Sequence, residues 1–80
     1  MRIDKFLKNS RIIKRRSVAK EACDGQRVFI NNKVAKAGAT VAVGDRIDIQ
    51  FGNSNVSVIV DALIESAKKE DATNMYHAIN

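Results

Sequence analysis

Ile3, Phe6 and Leu7 fall at i, i+3 and i+4, which puts them on one face of a helix. Lys5, Lys8 and Arg11 fall off that face, so the segment reads as a short amphipathic helix with its cations outward. Ile12 and Ile13 carry the apolar pattern into a connecting turn. Ser17 then reads as an N-cap whose hydroxyl accepts a free backbone N–H two or three residues on. Val18, Ala19, Ala22 and Cys23 predict the inner face of a second helix. Asp24-Gly25 predicts its end, with Gly25 expected in the left-handed conformation on which helices often close.

The period then changes to two. Val28 and Ile30 alternate with Phe29, and Asn31-Asn32 supplies two residues that tolerate the positive φ of a hairpin turn, with Val34 and Ala35 on the return. Gly44-Asp45 predicts another turn. Ile47, Ile49 and Phe51 alternate with Asp48 and Gln50 as a half-buried strand, and Gly52-Asn53-Ser54-Asn55 turns the chain into the partner strand of Val56, Val58 and Val60. Beyond Asp61, Ala72, Met75, Tyr76 and Ile79 are spaced 0, 3, 4 and 7, which predicts a short helix that packs Met75 and Tyr76 onto the sheet. The expected fold class is α+β: a helix–turn–helix pair packed on a small antiparallel sheet, with a short C-terminal helix.

Charge sharpens this picture. Residues 1–36 hold eleven of the fourteen basic residues against Asp4, Glu21 and Asp24, a surplus of eight, whereas the remainder holds Arg46, Lys68 and Lys69 against six acids. Such a gradient concentrates positive potential at one end of a small body, which suits a polyphosphate ligand. Lys14-Arg15-Arg16 stands just before the second helix, whose N-terminus already carries partial positive charge. Cations there cost stability, so their presence fits a visiting phosphate that meets free N–H groups and guanidinium forks. Arg2, Lys5 and Lys20 fall on the same face. The competing account, a solvated charge run, suits about half of the exposed cations.

Composition bounds the rest. Eighty residues allow one domain, and 45% hydrophobic content is enough for a core. Three Phe and one Tyr are few for a base-stacking platform. Cys23 is the only cysteine, so it has no disulfide partner within the chain, and it reads as core. One Cys and one His make no metal cluster, and no cofactor is expected. His77, with no Cys or carboxylate at ligand or triad spacing, reads as a surface residue of the tail. No apolar run approaches the roughly 18–20 residues of a membrane span, and no signal-peptide pattern is present, so a cytoplasmic location is expected. Binding of anionic membranes would need bulky apolar residues exposed beside the lysines, but Ile3, Phe6 and Leu7 are better used in the core.

Arg2-Ile3-Asp4-Lys5-Phe6-Leu7, then Lys14-Arg15-Arg16-Ser17 with Ala19, then Gly25-Gln26-Arg27-Val28, Ile30-Asn31-Asn32-Lys33, Lys36 and Val43-Gly44-Asp45 with Ile47 form an ordered set over residues 1–50. The set resembles the alpha-L RNA-binding domain, a module named after a small-subunit ribosomal protein. One departure is that the hairpin usually carries Asn-Gly, where this chain has Asn31-Asn32. The segment Lys68–Tyr76 is further similar to the tail of short bacterial ribosome-associated quality-control proteins and, more distantly, of small heat-shock ribosome-binding proteins.

The resemblance implies an RNA-binding domain over residues 1–65 and a C-terminal helical extension over 66–80. It implies a non-catalytic factor that binds large-subunit rRNA and peptidyl-tRNA on obstructed large ribosomal subunits and assists alanine tailing of the stalled chain. Arg2 and Arg16 match RNA-contacting positions of the family. Lys5, Lys8, Arg11, Lys14, Arg15 and Lys20 extend the candidate surface, and Lys33 and Lys36 extend it to the hairpin or guard a sheet edge. Asp4 and Ser17 are supporting candidates; Asp4 caps the first helix or holds Arg2 or Arg16 by a forked ion pair. A monomer is expected, with an alanine-tailing factor as a further partner. Two alternatives stay open: a heat-shock-type recycling factor, or an accessory module of an RNA-modifying enzyme.

Overall fold

The structure is a computed structural model and describes residues 1–79. Helix α1 (Ile3–Asn9) buries Ile3, Phe6 and Leu7 completely. It stops at Ser10, whose hydroxyl donates to the Leu7 carbonyl, and Arg11 then takes a left-handed φ of 61° to turn the chain. Ile13 anchors that turn in the core, with its N–H on the Leu7 carbonyl.

Helix α2 (Arg16–Asp24) differs from expectation at three places. Its N-cap is Arg15, in extended backbone and without a side-chain cap, so Ser17 is an exposed second helical residue and not the cap. The helix starts earlier because the Ala19 N–H already bonds the Arg15 carbonyl. At the other end Gly25 has φ −81°, and the left-handed residue is Gln26 at φ 60°. The Arg27 N–H reaches back to Ala22 and the Gln26 N–H to Cys23, a Schellman closure one residue beyond the expected one. The buried stripe is narrow, Ala19, Ala22 and Cys23, and Val18 lies at its margin, 43% exposed.

The five strands are β1 (Val28–Ile30), β2 (Lys33–Val34), β3 (Arg46–Phe51), β4 (Ser54–Val60) and β5 (Tyr76–Ala78). They form one antiparallel sheet in the order β2-β1-β3-β4-β5. Asn31 and Asn32 make the two-residue hairpin turn with φ of 51° and 70°, as the sequence predicts. Val28, Ile49 and Val56 stand side by side across three strands, and Ile30, Ile47, Val58 and Ala78 across four. Except for the exposed Ala78, this face packs against Ile3, Phe6 and Leu7 to make the core.

The C-terminal segment forms a short helix, but of the 3-10 type and only over Lys69–Asn74. The expected helical run to Ile79 gives way to β5. Met75 is the reason. Its side chain is fully buried in the core, and its carbonyl accepts the N–H groups of Asp61 and Ala62, which swings the following residues alongside β4. Ile79, the last position of the predicted face, is exposed.

The N-terminus is stitched into the body from the first residue. The Met1 carbonyl accepts the Val41 N–H, Arg2 bridges Thr40, and the Ile3 N–H bonds the Ala39 carbonyl. Cys23 is a core residue, and burial, reinforced by the charges of Asp4 and Asp24, pushes its thiol up to about 11.

Candidate nucleic-acid interface

Because Arg2 precedes α1 in extended backbone and Arg16 opens α2, the packing of the two helices brings both guanidiniums to one carboxylate, that of Asp4. Asp4 is almost fully buried in the first turn of α1. Its Oδ1 accepts the Lys5 backbone N–H at 2.8 Å and the Arg2 Nε–H at 3.2 Å. Arg2 Nη2 donates to Oδ2 at 3.2 Å, so that Arg2 makes a fork. Arg16 approaches from α2, with Nη2 3.5 Å from Oδ1 and Nε 3.5 Å from Oδ2. Asp4 therefore holds both arginines and does not cap α1, whose N-cap position is Arg2.

One acid between two guanidiniums leaves a net positive charge. Each guanidinium carries five N–H donors, and the Asp4 contacts occupy only part of them. The side chains of Arg2 and Arg16 are 54% and 49% exposed, so their remaining donors face solvent. The guanidinium of each is held by the buried Asp4 carboxylate, which lowers the entropy lost on gripping a phosphate. The Arg2 guanidinium lies over Gly38, where an added Cβ would stand 3.9 Å from Cζ and Nη2.

Lys14 and Arg15 are exposed in the approach to α2, and Lys20 is exposed on its surface. No acid lies in the first turn of α2, so its N-terminal N–H groups and the flanking cations share one positive field. Lys8 and Arg11 are exposed at the far end of α1. Lys36 is exposed beside Ala37, whose carbonyl accepts the Asp4 N–H, and so sits next to the arginine cluster. Lys33 lies on β2, the sheet edge. Lys5 differs from the others because its ammonium is paired with Glu65.

Two partnerships were not visible in the sequence. Glu65 lies 60 residues from Lys5, and the hydrogen bond and charge of Lys5 hold its carboxyl below the usual range. His77, read as a surface residue without a carboxylate partner, is exposed but places Nδ1 2.8 and 2.9 Å from the Asp61 carboxylate oxygens, across the β4–β5 edge. Among the described residues no group of three or more His, Cys, Asp or Glu could hold a metal ion, and no helix is long and apolar enough to cross a membrane.

Comparison with known proteins bears on the family and the fold. A family model described as the S4 domain matches residues 1–47. The chain is 51% identical over 76 residues to a Bacillus subtilis protein named RQC P-site tRNA stabilizing factor, covering 95% of this chain and 88% of that one. It is 32% identical over 68 residues to a Haemophilus influenzae heat shock protein 15 homolog, covering 85% of this chain and 52% of that one. Its fold matches the Vibrio cholerae heat shock protein 15, described as trimeric, with a TM-score of 0.91 at 26% identity, covering 99% and 81% of the two chains.

Proposed function

The chain belongs to the S4 domain family, within the group of RQC P-site tRNA stabilizing factors, and on that premise we propose that it is a non-catalytic RNA-binding factor of the large ribosomal subunit. It binds large-subunit rRNA and the tRNA of an obstructed subunit in the cytoplasm, and it stabilises that tRNA while a tailing factor extends the stalled chain with alanine. Residues 1–65 serve as the RNA-binding domain, and the remaining residues as an extension. The observation that carries the reading is the pair of half-exposed arginines held on one buried carboxylate, together with the exposed Lys14, Arg15, Lys20 and Lys36.

The basic residues reach from both helices to the hairpin, more surface than a single RNA contact needs. Two modest contacts on one rigid body raise the effective concentration of each for the other, which gives avidity without tight binding to either RNA. The factor should therefore bind a large subunit holding peptidyl-tRNA better than a vacant one. Removing the tRNA should weaken binding by about tenfold or more, equivalent to about 1.4 kcal/mol. Cosedimentation with obstructed and vacant large subunits tests this, and equal binding to both defeats the bridging role. The fold likeness to heat shock protein 15 favours a recycling factor as the second reading. The 51% against 32% identity favours the first.

A further inference from the structure

Glu65 is the acid that stands on the basic face from outside it. It follows β4 in the linker, but two contacts bring it to α1. Asn9, buried at the end of α1, donates its side-chain amide to the backbone carbonyls of both Ile64 (3.0 Å) and Glu65 (3.1 Å). The linker is thereby pinned beside the helix, and the Glu65 carboxylate meets the Lys5 ammonium about one turn earlier on α1. The charge of the Met1 α-amino group adds a smaller attraction. Lys5 in turn shares its backbone N–H with Asp4, the anchor of the two arginines.

A carboxylate fixed against a lysine at the border of a phosphate-binding surface has the charge and acceptor geometry of a phosphate oxygen. We propose that Glu65 is a specificity-determining residue: an intramolecular phosphate mimic that occupies Lys5 and penalises RNA unable to displace it. The inference rests on the RNA-binding reading above. Exposed ion pairs are individually weak, so a correctly placed phosphate can take Lys5 over. Displacement needs only a rotation of the Glu65 side chain, because the Asn9 contacts hold its backbone and not its carboxylate. An RNA that approaches without presenting a phosphate at Lys5 instead meets the Glu65 carboxylate in place of a free ammonium, which disfavours it.

The test compares wild type, Glu65→Gln, Lys5→Ala and the double variant in titrations with an arbitrary RNA duplex and with vacant large subunits. Glu70→Gln, which removes an equal charge from the 3-10 helix, is the control for net charge. Glu65→Gln should tighten duplex binding about three- to fivefold at low salt and steepen the log–log salt slope by about one phosphate contact. It should tighten subunit binding less, and so narrow the preference for the subunit. Lys5→Ala should abolish the gain in the double variant, and Glu70→Gln should produce a smaller one. Equal effects of Glu65→Gln and Glu70→Gln, or a gain that survives Lys5→Ala, overturn the inference. Wild type that binds neither RNA overturns the RNA-binding reading itself, a distinct outcome.

Discussion

Arg2 and Arg16 on the helical side and Arg46 on the sheet are almost equally exposed, at 54%, 49% and 48%, yet they stand in opposite electrostatic situations. Arg46 has an acid of its own. Its Nε and Nη2 lie 3.1 to 3.4 Å from the Asp48 oxygens, and Asp48 also accepts the Ser57 hydroxyl. Arg2 and Arg16 share one acid between two. Exposure therefore says little about which arginine is free to bind a phosphate. The local ratio of cations to anions decides it. On the sheet Arg46 and Asp48 balance each other, and the helix pair keeps a surplus for a ligand.

The anchor acids give the sharpest contrast. Asp4→Ala should cost about 2–3 kcal/mol of stability, since a buried carboxylate with three charge-assisted or backbone partners is lost, and should weaken RNA binding by loosening both arginines, although the surplus of charge grows. Asp48→Ala should cost about 1 kcal/mol and leave RNA binding intact. Urea denaturation and RNA titration on the same samples check both. The arginines come next. Arg16→Ala should lose about 1.5–3 kcal/mol of binding free energy, with stability changed by no more than about 0.5 kcal/mol. Arg46→Ala should do neither. A parallel fall in melting temperature and binding for Arg16→Ala would make that residue structural and erase the contrast.

Salt sharpens it further. If about five phosphates are neutralised, log K should fall against log salt with a slope of roughly −4. Arg2→Ala should lower that slope by about one contact, and Arg46→Ala should leave it unchanged. A flat salt dependence in wild type would remove the argument from surplus charge altogether.

The smallest effect is in acid. Burial alone would raise the Asp48 carboxyl, but hydrogen bonds from Ser57 and Arg46 outweigh it and hold the group below its ordinary value of 3.8. A depressed folded-state value means stability that is present above pH 3.8 and lost as the pH falls through the lower folded value. Asp48→Asn should flatten that acid limb, as read by unfolding free energy against pH below about 4.

Much of this was legible in the chain. The i, i+3, i+4 spacing of Ile3, Phe6 and Leu7 marks the buried face of α1, and Asn31-Asn32 marks the hairpin, because both depend on residues adjacent in sequence. The link from Asp4 to an arginine was legible as chemistry, a lone acid among cations. The helix ends were less so. Ser17 and Gly25 have cap-forming side chains or backbones, but the start of α2 is fixed by Arg15 and its end by a closure through Gln26 and Arg27. The last strand has the spacing of a helix because Ala72 and Met75 are both buried, and nothing local shows that the Met75 carbonyl accepts the N–H groups of Asp61 and Ala62. Pairs such as Lys5 with Glu65 and Asp61 with His77 are far apart in sequence and meet only through the topology.

The thiol of Cys23 adds a practical consequence. With its ionisation pushed up to about 11, little of the thiol is thiolate at neutral pH, and the sulfur is buried on the inner side of α2. An alkylating reagent can reach it efficiently only after the core opens and the group returns to an ordinary acidity. The single cysteine is thus a built-in stopwatch: pulse alkylation in native buffer, with or without RNA, times how often the core opens, without denaturant or dye. An RNA that grips the helix pair should slow that labelling in proportion to the fraction bound.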